Sequence, residues 1–291
     1  MLTLKEVSLR KGKRTYLDEV SFTAEAGRIT AIVGTRSAGR TELVRIIMGL
    51  ISADEGTIEL EDFELDFGDR QNFGYLPAER GGYPNMRVLD QIVYLARLHG
   101  ITLGAAERNA LTLLGHLELA DRGYAPLKNL SGAEIARVDI AATLAADPDV
   151  VVIDDAFAGL DAASLRLVTS LLRAHASSGV PVILATDDWE AAQTFADDVI
   201  ILGQGKVTAS GSVEKLLGDP HYRVETTDTE AAVSALKSRT GISDVATAGR
   251  EAVSFRADDA KTAAAAVAEL KNVKNFESVR PTLAEQYKEA L

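Results

Sequence analysis

The stretch AIVGTRSAGRTELVRIIMGL, residues 31–50, is an apolar run, a glycine-bounded turn and an amphipathic helix in succession. The continuous apolar residues 29–33 have the character of a buried strand. After Gly39, the residues Leu43, Ile46, Ile47 and Leu50 fall at i, i+3, i+4 and i+7, one face of a helix. Strand, loop and helix in that order offer backbone N–H groups and a helix N-terminus to an anion. The phosphate-loop pattern G-x-x-x-x-G-K-[ST] is met at Gly34, Gly39 and Thr41, while Arg40 stands where the lysine belongs. A tight strand-to-helix turn with no ligand accounts for the same residues.

Outward from this stretch, the first 27 residues alternate apolar and polar positions around the turn RKGKR, as an antiparallel hairpin does. Helical periodicity dominates from about residue 87 to 119, and a further helix over 133–145 runs into a buried strand at 150–153. A helix over 163–176, a strand at 182–185, another helix, a strand at 199–202 and a Gly-Gln-Gly turn follow. Repeated strand–helix units imply a parallel sheet with α/β architecture. Near LGDPH, residues 217–221, the pattern changes. Strands near 222–225, 244–247, 253–255 and 276–279 with intervening helices predict a β-α-β-β-α-β, ferredoxin-like order, with a final helix after Pro281. The Ala-rich segment AKTAAAAVAELK reads as strong helix propensity.

Composition narrows the function. At 291 residues, 46% of them hydrophobic, the chain can hold one large and one small domain with real cores. The longest apolar runs, VVVI and PVILA, are far short of the roughly 18 residues a membrane helix needs. The N-terminus enters a strand pattern without a signal core, so a cytoplasmic location is expected. The absence of cysteine excludes disulfides and thiolate metal sites, and His99, His116, His175 and His221 show no metal-ligand spacing. A net charge of −12 opposes binding to nucleic acid.

Five segments stand in order: VGTRSAGRT, FGYLPAERGGYPNMRVLDQIVYLARLHG, NLSGAEIARV, DPDVVVIDDAFAGLD and VILATDDWEAA. Together they resemble the ATP-binding subunits of ABC transporters over residues 1–217. The tail, 222–291, resembles the small C-terminal domain of one group of bacterial ABC export subunits. The resemblance implies a P-loop NTPase-like α/β domain with an antiparallel β subdomain, a mainly parallel core sheet and a helical insertion at about 87–145, followed by a small α+β domain.

It also implies roles for residues. ATP phosphates would lie on Gly34, Ser37, Ala38, Gly39, Arg40 and Thr41, with Mg²⁺ held through Thr41 and Asp154. Here the sequence departs from the family. Arg40 replaces a compact ammonium with a planar fork, and Ser37 replaces a glycine, removing some backbone freedom. Lys11 occupies the adenine-stacking aromatic position, with Tyr16 nearby as a strand residue. Ala78 occupies the position of a metal- and water-contacting glutamine, and Ala156 that of a proline. Asp155 stands for the catalytic glutamate, one methylene short, and a displacement of about 1 Å costs roughly 10²-fold in rate. Asp187 stands for the γ-phosphate-sensing histidine and would repel that group. Ser131 and Gly132 keep the start of the signature that acts in trans on a partner's ATP, while Ala133 and Glu134 depart from it. Asp161 matches the loop that reaches across the dimer.

The exchanges at Lys11, Arg40, Ala78, Asp155 and Asp187 converge on one site. The expected function is therefore a degenerate subunit with weak or absent ATP and Mg²⁺ binding. It would pair with an ABC subunit, in a hetero- or homodimer, and dock on a membrane permease at the inner face of the cell membrane. The docking segment would be 78–98, where Tyr83, Pro84 and Met86 are apolar loop residues; local packing explains each of them equally well. A slow but genuine ATPase driving export as a homodimer stays open. A soluble ABC protein acting on nucleic acid is opposed by the acidic charge and the single nucleotide domain.

Overall fold

The computed structural model describes residues 1–66, 68–79, 81–155, 157–218, 220–280 and 282–287. The N-terminal alternation becomes a hairpin of β1 (Leu2–Lys11) and β2 (Arg14–Ala24). Leu2 lies opposite Ala24, Leu4 opposite Phe22, Val7 opposite Val20 and Leu9 opposite Leu17. All eight are buried, so each cross-strand pair adds to one apolar face. Next come β3 (Ile29–Gly34), α1 (Arg40–Ile47), β4 (Glu55–Leu60), β5 (Phe63–Glu64) and β6 (Phe73–Leu76). Strands β2, β1, β4 and β5 form an antiparallel sheet in that order.

The helical region contains α2 (Val88–Leu98), α3 (Leu103–His116) and α4 (Gly132–Leu144). Each buries one stripe: Val88, Ile92 and Ala96 on α2, Ala106, Ala110 and Leu114 on α3, and Ala136, Ile140 and Leu144 on α4. The chain then runs through β7 (Val150–Asp154), α5 (Ala162–Ala176), β8 (Val182–Thr186), α6 (Trp189–Phe195), β9 (Asp198–Gly203) and β10 (Lys206–Ser212). The core sheet has the order β10-β9-β3-β8-β7-β6. Its strands are parallel except for the β9–β10 pair. β3, β7 and β8 are buried at every position, as parallel strands covered on both faces must be.

Strands β4, β5, β6 and β10 were not foreseen in the sequence. In EGTIEL only Ile58 is fully buried, and β10 alternates exposed and half-buried residues. Their neighbours' hydrogen bonds, more than their own apolar pattern, define them.

The chain divides into two compact units, Met1–Val213 and Glu214–Glu289. The division falls within α7 (Val213–Leu217), a few residues before the LGDPH punctuation. The second unit contains β11 (His221–Thr226), α8 (Thr229–Lys237), β12 (Ile242–Thr247), β13 (Ala252–Ala257), α9 (Ala260–Ala268) and β14 (Val273–Val279). They form an antiparallel sheet in the order β12-β13-β11-β14. Tyr222 stacks on Phe255 and Phe276 with centroids 5.6 and 5.8 Å apart, at the centre of this unit's own core. Pro281 lies outside the described residues, and α10 (Leu283–Gln286) follows it, opened by a Thr282–Glu285 capping box. Among the described residues no helix is long and apolar enough to cross a membrane.

The turn between β3 and α1 depends on close backbone approach. Gly39 has φ +97°, and a Cβ there would lie 2.5 Å from the Tyr16 carbonyl oxygen. Gly39→Ala is expected to destabilise the first unit by at least about 1–3 kcal/mol, the range for one strained backbone site. Urea denaturation followed by circular dichroism measures it.

Candidate functional site

Register brings the functional positions together. Val33 on β3 lies opposite Thr186 on β8, Asp154 at the end of β7 lies opposite Ala185, and Gly34 lies opposite Leu202 on β9. The loop after β3, the Asp154–Asp155 pair and the β8–α6 turn therefore meet at the carboxyl ends of the strands. That is where open α/β sheets place their ligands.

The loop itself is well fixed. The Ala38 N–H donates to the Thr35 carbonyl at 3.0 Å, and the Ala38 carbonyl accepts from the Gly205 N–H at 3.1 Å. Gly39, which has no side chain to offer, stands at the N-cap of α1 without a side-chain cap hydrogen bond. Thr35, Arg36 and Ser37 are exposed. Ser37 does not have positive φ, so the glycine it replaces is not required by the backbone conformation found here.

Beneath the loop, Thr41 and Arg40 both lie near enough to Asp154 to pull its carboxyl down. Asp154 is buried, and that burial pushes its carboxyl above the usual range, against the pull of Thr41 and Arg40. Asp155 adjoins it with a left-handed backbone, φ 55°, and its carbonyl accepts from the Ala158 N–H. Ala156 lies outside the described residues.

Arg40 and Asp187 meet. Arg40 Nη2 is 3.7 Å from Asp187 Oδ2, and Arg36 Nε is 3.8 Å from the same oxygen. The Arg40 side chain is only 12% exposed, and its Nε is buried with no hydrogen-bond partner among the described residues. Asp187 is positioned by its neighbour: the Asp188 N–H donates to Thr186 Oγ1 at 3.0 Å, and the Asp188 carboxylate caps α6 through the Ala191 N–H at 2.9 Å. Sequence reasoning identified both exchanges but neither their contact nor Arg36. Two arginines in a loop whose pattern requires one cation were the available signal.

No hydrogen bond or ion pair links Lys11, Ala78, Ser131 or Asp161 to that cluster among the described residues. Lys11 sits at the end of β1, its Nζ 5.5 Å from the centroid of Tyr16, and Arg14 Cζ lies 4.5 Å from the same ring. An aromatic side chain thus stands in β2, flanked by two cations, with its own carbonyl against Gly39. Ala78 is exposed just after β6. Asp161 caps α5, accepting from the Ser164 N–H at 2.7 Å. Gly132 and Ala133 open α4, and Ser131 caps it in a reciprocal box with Glu134. Glu134 Oε2 accepts from the Ser131 N–H at 2.8 Å, while its Oε1 is 3.0 Å from Arg122 Nε. The S-x-x-E spacing was the signal for this box.

Residues 17–158 match the family model described as ABC transporter. The methionine import ATP-binding protein MetN 1 of Rhodococcus jostii is 31% identical over 235 residues, which cover 76% of this chain and 69% of that protein. This chain belongs to the ABC transporter ATP-binding family. The uncharacterized ABC transporter ATP-binding protein YhaQ of Bacillus subtilis is 28% identical over 216 residues, 74% of this chain and 72% of the relative. The linearmycin resistance ATP-binding protein LnrL of the same species is 24% identical over 253 residues, covering 84% and 81%.

Solved structures agree on the cassette fold. An ATP-binding subunit of an ABC transporter superposes with a TM-score of 0.67 at 24% identity over 74% of this chain and 91% of its own. A dimeric bacterial ABC cassette superposes with a TM-score of 0.65 at 22% identity over 74% and 99%. The α/β architecture is that of the ABC cassette, and the protein is an ABC transporter ATP-binding subunit. ABC cassettes bind ATP, act as dimers and pair with membrane permeases.

The Ser131–Glu134 box yields a stability test. Hydrogen bonds from Ser131, more than Arg122, hold the Glu134 carboxyl below its ordinary value of 4.5. The folded value is the lower one, so the box's stabilising effect is complete above pH 4.5 and fades as pH falls through the depressed value. Ser131→Ala is expected to cost about 1 kcal/mol at neutral pH. Glu134→Gln is expected to be less stable than the wild type at neutral pH, the gap closing in acid. Urea titrations at stepped pH measure both.

Proposed function

We propose that this chain is a catalytically degenerate ABC subunit that pairs with an active ABC subunit and docks on a membrane permease. The observation that carries this reading is the Arg40–Asp187 ion pair: the loop's cation already faces a carboxylate of its own chain. A triphosphate brought to the loop meets Asp187 where a hydrogen-bond donor would be needed, and like charges disfavour that approach. As they stand, the residues do not fit Mg-ATP. The methyl of Ala78 ligates nothing, Asp155 is a methylene shorter than glutamate, and Lys11 offers no flat face to adenine. Thr41 and Asp154 keep a hydroxyl and a carboxylate near each other, the residue types that suit a divalent cation. That pair is the observation favouring the second reading, a slow ATPase working as a homodimer.

The complementary role lies on α4 and α5. Ser131, Gly132 and Ala133 would face a nucleotide held by the partner subunit, with Asp161 at the dimer loop. Glu134 engages the Ser131 N–H, so fewer donors remain for that phosphate than in an uncapped helix. The second unit's β-α-β-β-α-β order, with β11 and β13 central in its sheet, supports the ferredoxin-like reading of the small domain. The protein would lie in the cytoplasm, peripheral on the inner face of the cell membrane, without nucleic acid as a partner.

The isolated protein is expected to release phosphate from ATP no faster than a buffer control and to bind Mg-ATP weakly at best. A phosphate-release assay with calorimetric titration checks both. Low-micromolar affinity with steady turnover would overturn the degenerate reading and favour the slow ATPase.

Permease docking through 78–98 is supported by the exposed rings there. Tyr83 is 52% exposed and packs edge-on against Tyr94 with centroids 5.9 Å apart, and Leu98 is 66% exposed. Half-buried Met86 holds the turn by donating its N–H to the Tyr83 carbonyl. The double variant Tyr83→Asp, Met86→Asp is expected to leave the membrane fraction of cells expressing the transporter while keeping a wild-type thermal melt. Unchanged sedimentation with membranes would count against this surface.

A further inference from the structure

We infer that Asp187 is a built-in counter-ion of the phosphate loop: its carboxylate takes the place on Arg40 and Arg36 that a phosphate anion would take, and so keeps the loop closed to phosphates. This rests on the degenerate reading above and adds to it a specific agent. Loss of hydrolysis alone would leave a loop that still binds phosphate. Exclusion needs an occupant, and the geometry supplies one.

Three observations assign that role to Asp187. First, register puts it there by construction. Thr186, the last residue of β8, lies opposite Val33, so Asp187 leaves the sheet next to Gly34, where the loop begins. Second, the contact converges: both arginines reach the same oxygen, at 3.7 and 3.8 Å. Asp188 fixes the turn around it through the α6 cap and the Thr186 hydroxyl.

Third, the pair is loose where it could be tight. Neither distance is that of a hydrogen bond. Arg40 Nε is buried and unpartnered among the described residues, so the guanidinium is neutralised in charge but unsatisfied in donors. A planar fork is best satisfied by two parallel hydrogen bonds to one anion. Asp187 therefore holds the charge without using the fork's full donor set.

The wider charge count agrees. Arg36 and Arg40 both approach Asp187, and Arg40 also pulls on Asp154, beside which Asp155 stands. Asp154 lies near Thr41 beneath the loop, within reach of Asp155. Asp187 is the carboxylate on the loop's outer side, with its side chain 46% exposed. Replacing it therefore disturbs no packed core.

The test uses inorganic tripolyphosphate, which reports phosphate recognition without adenine. The full chain, Asp187→Asn, Asp187→Ala and the double variant Asp187→Asn, Arg40→Ala are titrated by calorimetry and by thermal shift at fixed ionic strength. The wild type is expected to show little binding. Both single variants are expected to bind about tenfold or more tightly, a difference of about 1.4 kcal/mol, and to melt at higher temperature with the ligand. The double variant is expected to return to the wild-type level.

If the single variants gain nothing while the wild type stays silent, the counter-ion role is wrong and the degenerate reading stands. If the double variant binds as well as the single ones, the anion sits elsewhere and the assignment fails. If the wild type itself binds tripolyphosphate at low micromolar concentration, Asp187 excludes nothing; an accompanying ATP turnover would then remove the degenerate reading as well.

Discussion

The site depends on β3 being hydrogen-bonded between β8 and β9, with no freedom to slip. Its residues are buried on both faces, and a shift along either neighbour would move every pair of apolar side chains out of step. Because the pairing is parallel, the carboxyl ends of β3, β7 and β8 are delivered to one edge of the sheet whatever residues occupy them. The loop 34–41, the Asp154–Asp155 pair and the Thr186–Asp187 turn meet for that reason. Side chains at this edge can be exchanged without cost to the core, and the edge can change its chemistry while the fold persists.

The side chains at this edge set a balance of charge. Asp154 is buried and raised in pKa, a feature that costs stability when the group is ionised. Its neighbours Thr41 and Arg40 offset part of that cost. Above it, Arg40 is charged and largely buried, and a buried guanidinium needs an anion close by. Asp187 supplies one from within the chain, and Asp154 lies near enough to feel the same guanidinium. Arg40 and Asp187 thus compensate each other: an arginine here without an internal carboxylate would be a buried charge waiting for an outside anion. The same logic recurs on α4, where Glu134 closes on the Ser131 N–H and so supplies its own negative charge at a helix N-terminus.

Much of this was legible in the sequence. The strands β3, β7 and β8 declared themselves as continuous apolar runs, and the hairpin as alternation. Arg40, Asp155 and Asp187 could be singled out one by one because the motif spacing names each position. β4, β6 and β10 were not legible, being short or polar enough that pairing with a neighbour supplies most of the reason for the strand. The Arg40–Asp187 contact was hidden too, because it is set by the register of β3 against β8 and not by separation along the chain. Tyr16 was read as a strand residue, which it is; that two cations would flank its ring follows from a two-residue turn placing Lys11 opposite Arg14.

The glycines show how far a surviving motif can testify to a surviving function. A Cβ on Gly34 would stand 2.3 Å from the Leu202 carbonyl oxygen, and one on Gly39 would stand 2.5 Å from the Tyr16 carbonyl oxygen. Both obstacles are this protein's own backbone, on β9 and β2. The fold therefore requires these glycines whether or not a phosphate ever sits in the loop. Ser37 makes the contrast: it is exposed and its backbone is not left-handed, and there the glycine has gone. Gly34 and Gly39 answer to the core, whereas Ala78 and Asp187 stand exposed at the edge, where the packing does not dictate the side chain. The framework of the motif is thus evidence of fold, and the side chains that would touch ATP are the evidence that bears on chemistry.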